Sequence, residues 1–332
     1  MPGTHADSVI TEAYLKGVTD FDVEAAYEAM KAHATGPVPH GGRGDIEDWI
    51  NLGYLASDHS GSAGSTTLEY SYDDWCISRL ADALGKTDDR DMFLAHSKNY
   101  ANVWDPATKF FRGRASDGSF APADGFVPAW FFYDDYDEGN AWQYRWLVPH
   151  DVPGLIDLFG GKEYFTKQLQ VFFSGKGPHN GVIPEFYYWH GNEPDLQAAY
   201  LFNDVGRPDL TSKAVRWIMS DLYGDGPAGL YGNDDGGTLS AWYVLSALGL
   251  YAVAPCSGVY YIGSPIFTKA TVRMGNKTLV ITAENASEKN IYVQSVALNG
   301  VPLDAPYVKY GDLAGGGTLD FVMGSEPSGW GR

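Results

Sequence analysis

The chain has 332 residues, of which 44% are apolar and 14% aromatic, with 22 Tyr and 10 Trp. That is enough for one large domain or a domain with a small appendage, and the aromatic side chains suit a large core or a cleft that stacks sugars. With 23 Lys and Arg against 42 Asp and Glu the net charge is −19, and no basic cluster is available for phosphates, which excludes nucleic acid as a partner. Such acidity fits calcium use or plain solubility. Cys76 and Cys256 are too few and too far apart for a disulfide framework and read as small buried hydrophobes. No stretch approaches the ~18 apolar residues of a membrane span. The first residues, Met1 to Asp7, lack the basic-then-apolar pattern of a signal peptide.

In chain order, Ile10 to Lys16 and Val23 to Ala34 read as helices. Residues 35–63 are rich in Gly, Pro, His and Asp and read as loop around a short apolar piece, Trp49 to Leu55. Thr66 to Glu69 has a capping-box pattern, and behind it Leu68, Tyr72, Cys76, Leu80 and Ala83 recur at helical spacing up to Gly85. Asp88 to Trp104 reads as a more polar helix. Residues 105–137 form a long irregular stretch whose aromatics, Trp130 to Tyr133, argue for function rather than disorder.

A rhythm then sets in. The loop Asp137 to Asn140 precedes an aromatic helix, Ala141 to Leu147, and a more polar helix follows at Lys162 to Ser174. The loop His190 to Pro194 precedes an apolar helix, Leu196 to Val205, followed by a polar one at Pro208 to Tyr223. Gly232 to Asp235 precedes the most apolar helix, Leu239 to Leu250, which reads as buried on most sides with Thr238 or Ser240 as its cap. Alternating buried and half-exposed helices, with an Asn and a carboxylate before each buried one, predict two concentric rings: a mainly α fold of the (α/α)6 toroid type. About nine helices can be counted where a closed barrel needs twelve, so the expectation is a barrel over 1–265 that is incomplete at its start. After Pro265 the pattern alternates with period two over Lys269 to Met274, Thr278 to Thr282, Asn290 to Val296 and Thr318 to Met323, with a hairpin signal at Gly275-Asn276. Residues 266–332 therefore read as a β-strand tail, with too few strands for a stable sandwich alone.

The chemistry concentrates in the loops. Glu138, Glu193 and the pair Asp234/Asp235 each stand beside Gly and Asn at the start of a buried helix. One such carboxylate is usually a helix cap worth ~1 kcal/mol. Three on alternate helices fit an acid, a base and a polar or metal-binding group better.

The motifs Glu138-Gly-Asn-Ala-Trp-Gln-Tyr144, His190-Gly-Asn-Glu-Pro194, Gly232-Asn-Asp-Asp-Gly236, Ser240-Ala-Trp-Tyr, Gly263-Ser-Pro265 and residues 206–210, in this order, resemble glycoside hydrolase family 92. The resemblance runs from about Tyr14 to the C-terminus. It implies a calcium-dependent exo-α-mannosidase that releases terminal mannose with inversion, on a fold made of an N-terminal β-sandwich and an (α/α)6 barrel, the strands of 266–332 pairing with that sandwich, which is missing here. By that resemblance Glu138 is the general acid, Asp235 the general base and Asn233 its catalytic neighbour. Asn192, Glu193, Trp142, Gln143 and Asp234 lie at the substrate, a mannose-containing glycan, and Glu193, Asp195 and Asn233 at the calcium. An acid of this kind needs a desolvated site, which Trp142 and its aromatic neighbours are expected to provide for Glu138. An inverting pair stands roughly 6.5–9.5 Å apart to admit water. Many members carry Ser-His-His after Asn-Glu-Pro, whereas this chain has Asp195-Leu-Gln197, a departure that bears on linkage preference. The resemblance places the protein outside the cell or in the periplasm. The competing expectation is a non-catalytic fragment or subunit that keeps the sugar and calcium pocket, paired with a separate sandwich domain or with itself.

Overall fold

The computed structural model describes residues 3–131, 133–175 and 186–332. The chain folds as two compact units, Met1–Gly161 and Lys162–Arg332.

In the first unit α1 (Ala6–Leu15), α2 (Val23–Thr35), α3 (Ile46–Leu52), α4 (Ala63–Ala83) and α5 (Thr87–His96) precede a small hairpin, β1 (Trp104–Asp105) with β2 (Phe110–Phe111). α4 is the centre: it packs against α1, α2 and α5 and is buried along most of its length. Tyr27, Met30 and Ala34 of α2 meet Ile77, Leu80 and Ala81 of α4 and Phe93 of α5 in one apolar cluster.

α4 starts one turn before the expected capping box. Thr67 and Ser71 lie inside the helix with their hydroxyls turned back on the carbonyls of Ala63 and Thr67. The open N–H groups of its first turn are taken by a distant loop instead: Ser62 N–H donates to the Asp134 carbonyl and Ser65 N–H to that of Asp135 at 3.0 Å. The expected helix over 88–104 divides into α5 and a 3₁₀ turn at Asn99–Val103. α6 (Ala141–Tyr144) is a single turn, shorter than its aromatic pattern predicts. α7 (Val152–Phe159) follows, capped by the Asp151 carboxylate on Gly154 N–H at 3.2 Å.

The second unit opens with α8 (Lys162–Ser174), whose ends match the sequence reading. The apolar run after Pro194 forms short 3₁₀ turns, Glu193–Asp195 and Ala198–Asn203, rather than an α-helix. α9 (Pro208–Asp221) and α10 (Thr238–Ala247) pack on each other. α10 is buried at Leu239, Trp242, Ser246 and Ala247, but Val244 is 57% exposed. Its apolar surface is covered on one side only, where sequence suggested burial nearly all round.

Two sheets complete this unit. β3 (Leu250–Tyr251), β4 (Val259–Ile262) and β9 (Tyr307–Lys309) form one. The other has the order β5 (Lys269–Met274), β6 (Lys277–Glu284), β10 (Gly317–Gly324), β7 (Tyr292–Leu298), β8 (Val301–Leu303). β6 and β10 run parallel and the remaining neighbours antiparallel. The short helix α11 (Tyr310–Ala314) leads into β10 through Gly316, at φ +77, where a Cβ would meet the Thr278 carbonyl at 2.6 Å.

The tail strands pair with one another in these sheets. The alternation of β6 and β10 puts Leu279, Ile281, Leu319, Phe321 and Met323 on one buried face with Leu250, Ile262 and Leu313. The edges are blunted by Lys269 and Arg273 on β5 and by Pro302 on the three-residue β8.

Candidate active site

In the first unit the loop before α6 is pinned at several points. Besides the two carbonyls on the start of α4, Asp137 N–H donates to Ser65 Oγ at 3.0 Å, Tyr144 Oη to the Asp137 carbonyl at 2.7 Å, and Tyr136 Oη to the Phe111 carbonyl at 2.6 Å. Gly113 leaves room for the Asp135 side chain, which a Cβ there would overlap. Burial and the neighbouring Asp134 push the Asp135 carboxyl up to about 6.

Held this way, Glu138 takes a left-handed backbone, φ 46, a conformation unusual for Glu and worth about 1–3 kcal/mol of strain. It is exposed. The Trp142 indole packs edge-on against Phe110 at 5.2 Å and takes the Arg145 guanidinium on its face at 5.0 Å. Asn140 caps α6 by accepting from Gln143 N–H at 3.1 Å, and the Gln143 side chain is fully buried beneath the turn.

The second unit carries the other two loops, and they touch. Gly191 lies so close to the Tyr231 carbonyl that a Cβ would stand 2.5 Å from it. Asn192 is buried and Glu193 exposed at the start of its 3₁₀ turn. Asp234 works as the cap of α10: Oδ1 accepts from Ser240 N–H at 2.9 Å and Oδ2 from Ser240 Oγ at 2.8 Å. Ser240 thus serves as donor to the cap, and Thr238 Oγ1 donates to the Asp235 carbonyl at 2.8 Å. Neither is the cap that the sequence suggested, because the Gly236–Gly237 turn folds Asp234 back over the helix end. Asp235 is exposed in a left-handed conformation, φ 47, and Asn233 beside it is exposed as well. Of the adjacent pair, Asp234 is committed to α10 and Asp235 presents its carboxylate to the surface.

The profile of the glycosyl hydrolase family 92 catalytic domain matches residues 1–325. The chain belongs to glycosyl hydrolase family 92. Among solved structures it is similar to the family GH92 α-mannosidase BT3965 of Bacteroides thetaiotaomicron, with 42% identity and a TM-score of 0.91 over 98% of this chain and 43% of that one. It is similar also to the family GH92 inverting mannosidase BT2199 of Bacteroides thetaiotaomicron VPI-5482, with 32% identity and a TM-score of 0.91 over 100% of this chain and 47% of that one. A secreted glycosidase of Arthroderma benhamiae, itself uncharacterized, is 30% identical over 99% of this chain and 46% of its own length. The chain thus spans under half the length of these family 92 relatives.

The residues expected at a calcium ion differ in exposure. Asp195 is fully buried; its Oδ2 accepts from Trp189 N–H at 2.8 Å, and burial pushes its carboxyl far above the usual range. A calcium ion takes about six to eight oxygen ligands from carboxylates, amides, backbone carbonyls and water. Glu193 and Asn233 are exposed oxygen donors. Among the described residues no three His, Cys, Asp or Glu side chains gather as a metal site. The aromatic stretch 130–133 falls partly outside the described residues at Phe132.

No sequence pattern announced the buried His190 with its two tyrosine partners, or the Asp195 carboxyl in the core. Both depend on what lies around them after folding.

Proposed function

We propose that this family 92 chain carries the acid and base of an exo-acting α-mannosidase that removes terminal mannose from a glycan with inversion. The observation that supports it best is the pair of exposed carboxylates, Glu138 and Asp235, each on a left-handed turn held by the hydrogen bonds of its own unit. Glu138 gives its proton to the glycosidic oxygen as the C1–O bond breaks. Asp235 takes a proton from the water that attacks C1 from the opposite face, releasing mannose of inverted configuration. Asn233 orients that water beside Asp235, and Asn192 and Glu193 bind the sugar hydroxyls.

An exposed Glu138 gains the desolvation an acid needs when substrate covers it. The helices are read as part of an (α/α)6 barrel, with further chain of the kind its longer relatives have completing it, and the secreted relative supports an extracellular setting. Calcium enters through the family resemblance, with Glu193, Asp195 and Asn233 as the residues that would hold it.

The test is Glu138→Gln assayed on an α-linked mannobiose and on an activated aryl α-mannoside. Loss of the acid costs about 10²–10⁴-fold on the poor leaving group and far less on the activated one. Equal loss on both assigns Glu138 to binding.

A further inference from the structure

Between the two touching loops of the second unit runs a chain of hydrogen bonds. His190 opens the Gly191–Glu193 loop yet is fully buried. Its Nδ1 lies 2.6 Å from Tyr188 Oη and its Nε2 2.6 Å from Tyr223 Oη. Tyr223 Oη in turn lies 2.9 Å from the carbonyl oxygen of Leu239, in the first turn of α10. The imidazole also meets the Trp242 ring edge-on at 4.6 Å, and Trp242 Nε1 donates to the Leu196 carbonyl at 2.9 Å. Loop, α9 end and α10 start are thus joined through one ring.

The direction of every proton in this chain follows from its far end. A carbonyl oxygen only accepts, so the Tyr223 hydroxyl donates to Leu239. Its oxygen then accepts from His190, so Nε2 carries the hydrogen. Nδ1 is the bare nitrogen and accepts from the Tyr188 hydroxyl. Burial acts the same way, holding the imidazole neutral by lowering its pKa to about 3.

We propose that His190 is a positioning residue: as the neutral Nε2–H tautomer it fixes the Asn192–Glu193 loop against the first turn of α10, and so against Asp235. This rests on the hydrolytic reading above. Leu239 immediately precedes Ser240, whose N–H and hydroxyl hold the Asp234 carboxylate. A shift of the Leu239 carbonyl is therefore passed to Asp234 and its neighbour. Sites of this kind tolerate displacements of only about 0.5 Å, and roughly 1 Å costs on the order of 10²-fold in rate.

The experiment uses the full 332-residue chain with nitrogen-15-labelled histidine. His190 is identified as the signal missing from His190→Gln. The expected wild-type spectrum shows Nδ1 bare and Nε2 protonated. Tyr223→Phe removes the hydroxyl with little change in volume. It should lower kcat on an aryl α-mannoside by about 10- to 100-fold with KM within about 2-fold, and move the backbone amide signals of both Gly191–Glu193 and Asn233–Asp235. His190→Gln, which keeps one donor and one acceptor, should recover a large part of the rate lost in His190→Phe.

A cationic or Nδ1–H imidazole at neutral pH overturns the proposal. So does a Tyr223→Phe chain whose two loops keep their amide signals. A wild-type chain with no turnover refutes the hydrolase reading instead, and the nitrogen and amide spectra still decide the role of His190.

Discussion

Replacing Arg43 by Met tests what holds the first unit together. The Arg43 side chain is fully buried, with Nη1 2.6 Å from Asp74 Oδ1 and Nη2 3.7 Å from Asp7 Oδ2. Its guanidinium lies 4.7 Å over the Tyr70 ring. Asp74 is also fully buried and accepts from Trp49 Nε1 at 3.2 Å, with His96 Nδ1 3.4 Å away. Next to it Asp73 receives His5 Nδ1 at 2.9 Å and Thr4 N–H at 2.6 Å. Burial works against a charged His5, but its bonds to Asp73 and Glu69 win and push it up to about 11. The cluster thus binds the start of the chain to α4 through buried charges.

Met fills most of the Arg stem but leaves Asp74 without its closest cation. Breaking a buried pair in this way costs about 3–5 kcal/mol, out of a typical total of ~5–15 kcal/mol. The unfolded population of this unit should rise roughly 10²- to 10⁴-fold. Urea titration combined with amide exchange at α4 reads that loss separately from the second unit. The Arg43→Met, Asp74→Asn double variant should be more stable than the sum of the single losses by more than about 1 kcal/mol, because the charge left unpaired is gone. A single-variant loss below about 1 kcal/mol, or strict additivity, would refute the view that this pair is a buried, mutually dependent charge system.

Asp195→Asn should stabilise the second unit at neutral pH. Its folded pKa is raised by burial, so its contribution is full below the ordinary carboxylate range and is lost as pH rises through the raised value; the thermal midpoint of the variant should fall less than that of wild type between pH 4 and 7. Gly113→Ala should displace Asp135 and with it the Glu138 loop, so activity should fall by at least about 10-fold while the second unit's unfolding is unchanged, as seen in domain-resolved exchange. Removal of calcium with EDTA should abolish mannose binding measured by tryptophan fluorescence, with calcium but not zinc restoring it; binding that survives thorough chelation ends the calcium reading.

Local pattern was enough where local chemistry decides. The ends of α8, the hairpin at Gly275-Asn276 and the one-sided alternation of β6 and β10 follow from side-chain period and turn residues. So did the loops that carry Glu138, Glu193 and Asp235, because Gly, Asn and carboxylate before an apolar run are legible in one dimension. The start of α4 was not, since its first N–H groups are satisfied by Asp134 and Asp135, about seventy residues on. α7 hid behind Pro153 and Gly154, residues that break helices in isolation, and needed the Asp151 cap.

The parallel pairing of β6 with β10 and the division at Gly161 are equally long-range. Most of all, sequence cannot say which polar groups end up buried. Asp195 sits two residues from exposed Glu193, yet the fold closes over it and raises its pKa, while Asp234 spends its carboxylate on α10 and leaves Asp235 at the surface. Protonation and hydrogen-bond partners are set by what surrounds a group in three dimensions, and adjacent residues on a tight turn face opposite surroundings.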